Sequence, residues 1–165
     1  MEDRRIQLLQ SMPIFGAIQS RTLEILLGES TGVQVPAGGY FFREGDMAEA
    51  MFVLERGRVS VVKRWEGRDY TLRELGAGEC FGEMALIDLF PRSASVVALE
   101  ESSALRITAA DLYRVYEADV DQFALIHMNL ARELSRRLRT ADERLFRAGR
   151  EGERRGEDST GHSGA

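Results

Sequence analysis

At 165 residues the chain is long enough for one domain with its own core, with little left for a second. Its 44% hydrophobic and 30% charged residues are those of an ordinary globular protein, and no apolar run approaches the ~20 residues needed to span a bilayer. A net charge of −5 and a pI near 5.2 speak against a general nucleic-acid binder, the single Cys80 excludes an internal disulfide, and His127 and His162 alone cannot build a metal cluster or a histidine-based triad.

The N-terminus, MEDRRIQLLQ, is charged from its second residue and lacks the apolar core of a signal peptide, so the expected location is the cytoplasm. Residues 3–28 are predicted to be helical in two pieces broken near Pro13. Ile6, Leu8, Leu9 and Met12 form one apolar stripe, and Leu23, Ile25, Leu26 and Leu27 a second. From residue 32 to 108 the texture changes to short β-rich runs. Candidate strands are Val33–Val35, Tyr40–Arg43, Ala50–Glu55, Arg58–Trp65, Asp69–Leu75, Ser93–Ala98 and Ala104–Thr108.

The punctuation between them is PAGG at 36–39, EGD at 44–46, ERG at 55–57, EGR at 66–68 and GAGE at 76–79, with Trp65 at a hairpin tip. Short strands at near-regular spacing, mostly without helices between them, predict an antiparallel arrangement and not a βαβ fold. The fold class expected is α+β, mainly β: a jelly-roll-like β-roll over 32–108, flanked by N-terminal helices and a long C-terminal helix. After Thr108 a short helix runs to about Glu117 and a long one from about Val120 to Phe146. Phe123, Ile126, Leu130, Leu134, Leu138, Ala141 and Leu145 lie along one stripe of the long helix. The domain thus spans 1–146. The remainder, 147–165, has no aliphatic residue larger than alanine and is predicted to be a disordered polar tail.

The stretch Phe81–Val97, FGEMALIDLFPRSASVV, carries the chemistry. It places Gly82-Glu83 at one end of a short apolar turn and Pro91-Arg92-Ser93-Ala94 at the other. That layout suits a ligand with one anionic phosphate and one free ribose hydroxyl. Arg92 supplies a planar fork for two oxygens of a singly charged phosphate diester, and Pro91 sets the backbone just before it. Gly82-Glu83 would open a short helix over Met84–Asp88, whose first N–H groups have no internal partner and face an anion. The Glu83 carboxylate can accept a hydrogen bond from a ribose 2′-hydroxyl, and Gly82 lets the backbone approach the sugar. Taken singly, Glu83 could cap its helix and Arg92 could pair with a surface acid. The coincidence of spacing, flanking Gly and Pro, and the small residues Ser93 and Ala94 in a β-rich context marks a binding cassette.

Phe81, Gly82, Glu83, Ala85 and Leu86, followed by Pro91, Arg92, Ala94 and Val96, closely resemble the phosphate-binding cassette of cyclic-nucleotide-binding domains, as in kinase regulatory subunits and the catabolite activator protein. The run FREGDMAEAMFVLERGRVSVV at 42–62 is similar to an earlier sheet segment of that family, and the resemblance covers about Ile6 to Leu145. It implies a ligand site made of Gly82, Glu83, Met84, Ala85, Arg92, Ser93 and Ala94. In it Glu83 would bind the ribose 2′-hydroxyl, Arg92 the cyclic phosphate, and the backbone amides of Ala85 and Ser93 would complete the phosphate cage.

The function implied is a cyclic-nucleotide sensor and not an enzyme, with no metal and no cofactor beyond the cAMP or cGMP ligand. A hydroxyl at Ser93 leaves both nucleotides open, with cAMP preferred. The resemblance implies a base contact from the last helix, for which Arg139, Thr140 and Asp142 are candidates, although a solvated helix face is the reading favoured for all three. The basic run Ser135-Arg136-Arg137-Leu138-Arg139 is expected to be a solvated helix face with i,i+4 partners. Ligand would shift the packing of helix 120–146 and signal through a protein effector or through a homodimer along the leucine stripe. No direct DNA binding and no membrane association are expected. The alternative is a ligand-independent dimerisation or docking module with the same fold.

Overall fold

In the computed structural model, which describes residues 2–28 and 32–160, two four-stranded antiparallel sheets pack face to face as a β-roll, and helices from both ends of the chain cover one of them. The elements are α1 (Glu2–Gln10), a 3-10 turn at Pro13–Phe15, α2 (Ser20–Leu27), β1 (Gly32–Val35), β2 (Tyr40–Phe42), β3 (Ala50–Arg56), β4 (Arg58–Trp65) and β5 (Arg68–Gly76). They continue as β6 (Cys80–Phe81), a 3-10 turn at Glu83–Leu86, β7 (Ser95–Ala98), β8 (Ser102–Thr108), α3 (Ala109–Ala118) and α4 (Val120–Thr160). One sheet has the order β1-β8-β3-β6 and the other β2-β7-β4-β5. Among the described residues, no helix is long and apolar enough to cross a membrane.

The sequence of β3 shows why the layers stack this way. Met51 and Val53 face the helices, while Phe52 and Leu54 face the interior of the roll. A strand covered on both faces reads as a continuous apolar run rather than an alternation. The helical side holds a core of Leu9, Leu23, Leu26, Leu105, Ile107 and Val115, each completely buried and each contributing about 1.5–3 kcal/mol of transfer free energy. β5, an edge strand, is mostly exposed and carries charges, which discourages pairing with another sheet. Glu66 and Gly67, both at positive φ, make the tight β4–β5 hairpin turn anticipated at Trp65. Thr108 and Asp111 exchange hydrogen bonds in a capping box that starts α3.

Three differences from expectation have physical causes. Cys80–Phe81 forms a two-residue strand on β3, too short to register as a pattern. The helix expected over Met84–Asp88 is a single 3-10 turn at Glu83–Leu86. α4 continues through the segment expected to be disordered as far as Thr160, leaving 161–165 outside the described residues. Over 147–154 its residues are all exposed. Helix-favouring Arg, Glu and Ala, with pairs such as Arg147 Nε to Glu143 Oε1 at 3.0 Å, carry it instead.

The α4 stripe also divides. Leu130 is buried and Leu134 packs against the same core, whereas Leu138 and Leu145 are 63% and 72% exposed.

Candidate functional site

The site lies where β6 turns out of the roll. Gly82 adopts φ +73°, and a Cβ there would stand 2.7 Å from Arg92 Nη1 and 3.2 Å from the Phe42 ring. Conformation and space both demand glycine at this position. Ten residues later the chain returns, and the EGD turn clamps it. The Arg92 N–H donates to the Asp46 carbonyl, and the Gly45 N–H donates to the Arg92 carbonyl, each at 2.8 Å. The turn is itself closed by the Arg43 N–H donating to Asp46 Oδ2 at 2.8 Å.

Held by its backbone, Arg92 sends its side chain inward until it is only 8% exposed. Nη1 donates to the Gly82 carbonyl at 3.1 Å and Nη2 to the Ala50 carbonyl at 2.6 Å. The guanidinium carbon sits 3.9 Å above the Phe42 ring, a cation–π contact that locks the plane of the fork. Its Nε is buried and has no partner among the described residues. Burial lowers the Arg92 pKa, and the charge of Asp46 opposes that shift.

Glu83 is 4% exposed. Its Oε1 accepts from Arg137 Nη1 of α4, and its Oε2 is buried without a partner among the described residues. Arg137 is fixed in turn by Glu133 Oε1 at 3.0 Å and by the Cys80 carbonyl at 3.2 Å, while Arg136 donates to the other Glu133 oxygen at 2.5 Å. Arg137 therefore departs from the solvated helix face expected of the 135–139 cluster. It is half-buried and bonded to the cassette. Burial, reinforced by the Glu83 charge, pushes the Cys80 thiol up to about 12.

Arg92 and Glu83 border a cavity of about 270 Å³. Phe42, Phe81 and Val61 supply apolar walls. Gly82, Glu83, Met84, Ala85, Arg92, Ser93 and Ala94, the residues singled out in the sequence, all line it. Two details differ from the implied picture. The Ala85 N–H already donates to the Gly82 carbonyl at 3.2 Å within the turn. Arg139, Thr140 and Asp142 are exposed on α4 and do not line the cavity, although Thr140 borders an adjoining groove. Several lining residues were not anticipated, and one of them brings a charge from the sheet. Arg73 of β5 faces the cavity opposite Val61, and only its cross-strand pairing reveals it.

Two residues that border one small cavity thus each hold a buried polar atom with no partner among the described residues: a guanidinium donor on Arg92 and a carboxylate acceptor on Glu83. The model of the cyclic nucleotide-binding domain matches residues 32–119, the whole β-roll and the start of the C-terminal helices. The cyclic AMP receptor protein of Thermus thermophilus is 34% identical over 138 residues, which cover 83% of this chain and 62% of that protein. A cyclic nucleotide-gated potassium channel of Rhizobium etli is 40% identical over 108 residues, or 66% of this chain and 29% of the channel. The chain thus spans less than two thirds of the length of these relatives. Among solved structures, the Thermus thermophilus catabolite activator protein superposes with a TM-score of 0.72 at 33% identity, covering 83% of this chain and 63% of that one. A cyclic nucleotide-binding domain from Methylobacillus flagellatus reaches 0.78 at 23% identity, covering 89% and 83%, and speaks for the fold alone. On these matches the chain belongs to the cyclic nucleotide-binding domain family.

Proposed function

We propose that the chain is a sensor that captures a 3′,5′-cyclic purine mononucleotide in the cassette cavity and conveys its presence to α4. The observation that carries this is the pair of buried atoms without partners, Arg92 Nε and Glu83 Oε2. Leaving such groups unmet costs about 1–3 kcal/mol each, so they persist where a ligand supplies what is missing. A donor on a cation matches a phosphate oxygen, and an acceptor on a carboxylate matches a ribose hydroxyl. Gly82 lets the sugar approach the backbone, while Met84, Ala85, Ser93 and Ala94 shape the wall. The relatives named for cAMP favour adenine, yet phosphate and ribose contacts are common to cAMP and cGMP.

Output would run through Glu83. Its bound oxygen touches Arg137, so a hydroxyl arriving at the other oxygen acts on the residue that anchors α4. Ligand can shift that helix only by its differential affinity for the two positions. The exposed Leu138 and Leu145 give α4 an apolar edge beyond the domain, which suits a homodimer or a protein effector and needs no DNA or membrane contact. Nothing in the cavity calls for catalysis, and a cytoplasmic setting fits the lone buried thiol.

Calorimetric titration of nucleotide-stripped protein with cAMP and cGMP tests the reading. Micromolar or tighter binding of at least one is expected, weakened by about 2–5 kcal/mol in Arg92→Ala. Binding unchanged in that variant would refute it.

A further inference from the structure

Arg137 meets Glu83 through one nitrogen only. An arginine and a carboxylate brought together away from water frequently close as a fork, with parallel N–H···O bonds to both oxygens. Here Nη1 donates to Glu83 Oε1, while Glu83 Oε2 is buried and has no partner among the described residues. The carboxylate that borders the cavity is thus held on one side and open on the other.

The remaining arms of the guanidinium are engaged elsewhere. Nη2 donates to the Cys80 carbonyl at 3.2 Å, and Nε donates to Glu133 Oε1 at 3.0 Å. Glu133 lies one turn before Arg137 on α4, is 7% exposed, and takes Arg136 on its other oxygen at 2.5 Å. Its neighbours on the domain side of the helix, Leu130 and Leu134, make the apolar contacts with the core. A carboxylate in such a place adds no apolar contact and is tolerated only because both its oxygens are paired. Glu133 borders the groove beneath α4 and does not line the cassette cavity, so it acts on the cavity through Arg137.

We propose that Glu133 is a positioning residue for the nucleotide site: by holding Nε it fixes Arg137 in the single-arm contact and keeps Glu83 Oε2 open for the ribose 2′-hydroxyl. The proposal rests on the ribose contact in the reading above. Without Glu133 the guanidinium retains only the Cys80 carbonyl as a competing acceptor and closes on Glu83 as a fork. Both carboxylate oxygens are then taken by a cation, and a neutral hydroxyl competes poorly with a charge-assisted pair.

Titration of the nucleotide-stripped full chain with cAMP and 2′-deoxy-cAMP, and with cGMP and 2′-deoxy-cGMP, tests it in the unaltered protein and in Glu133→Met. Methionine fills the volume without a charge for either arginine. In the unaltered protein the hydroxyl nucleotide should bind about 10- to 100-fold more tightly than its deoxy analogue, the worth of one hydrogen bond to a charged acceptor. In Glu133→Met that margin should shrink to within about threefold, because the hydroxyl nucleotide weakens while the deoxy analogue keeps its affinity. A role confined to the fold would weaken both alike. Retained binding of the deoxy analogue also verifies that the variant is folded. Should Glu133→Met fail to fold, Glu133→Gln, which keeps the shape but leaves one acceptor for two arginines, should narrow the margin in the same direction and decides by the same criterion. An undiminished margin in the variant, or no margin in the unaltered protein, would overturn this proposal while leaving phosphate capture by Arg92 intact. No binding of any of the four nucleotides to the unaltered protein would remove both.

Discussion

Glu83 and Arg137 stand 54 residues apart in sequence and meet as a hydrogen-bonded ion pair, so the carboxylate that lines the cavity is held by a helix that does not. Glu133 and the Cys80 carbonyl share the same guanidinium, which makes Arg137 the point where cassette, sheet edge and α4 are joined.

Arg137→Met strands the buried Glu83 carboxylate without a cation, while Glu133 keeps its pair with Arg136. Removing one member of a buried pair costs about 3–5 kcal/mol, which urea denaturation should register as a lowered midpoint. Adding Glu83→Gln to that background should recover part of the loss, since a neutral amide needs no counter-charge. An unaltered midpoint in Arg137→Met would mean that the pair contributes nothing to the fold.

Gly82→Ala and Gly67→Ala separate conformation from contact. Both glycines sit at positive φ, but a Cβ at Gly67 meets nothing within 4 Å, whereas at Gly82 it meets Arg92 and Phe42. Each variant should lose about 1–2 kcal/mol of stability to the left-handed backbone. Only Gly82→Ala should also displace Arg92 and reduce nucleotide affinity. Equal affinity in the two variants would contradict the role given to Arg92.

Leu130→Ala and the pair Leu138→Asp with Leu145→Asp divide the two halves of α4. The first opens a cavity in the core and should cost about 2–5 kcal/mol. The second changes side chains that touch no core, so the melting temperature of each folded unit should hold. If α4 joins two copies, sedimentation will show the aspartate variant reduced to a monomer. A protein that is already monomeric before the change would point to an effector instead.

The buried Cys80 thiol should stay inert toward thiol reagents near neutral pH and react on unfolding. Its folded-state pKa of about 12 lies above the ordinary value of 9.0. Between these two values the unfolded chain loses the proton while the folded chain keeps it, so the thiol's contribution to stability declines as pH rises through that window. Cys80→Ala should show a shallower alkaline decline in melting temperature than the unaltered chain.

Much of this was legible in one dimension because it is local. Strand runs, glycine turns, the hairpin at Glu66-Gly67 and the cassette residues all depend on neighbours a few positions away. The conformations involved, a left-handed glycine or a capping Thr108, leave their mark in residue type. The EGD turn was legible as a turn. That it clamps the Arg92 backbone follows only from the pairing of distant strands.

Linear order alone settled the β-roll with flanking helices and the neighbourhood of Glu83 and Arg92, because side-chain alternation and chain reversals are written residue by residue. Tertiary structure decided the rest. A stripe repeating every three or four residues is the same whether it packs on its own sheet or on a second copy. Only the point at which α4 leaves the domain separates the buried Leu130 from the exposed Leu138. Likewise, an arginine on an edge strand and another in a basic helix look alike as solvated charges. Superposition of β5, the cassette and α4 is what brings Arg73 into the cavity and Arg137 onto Glu83, since low dielectric and lost water make such meetings matter.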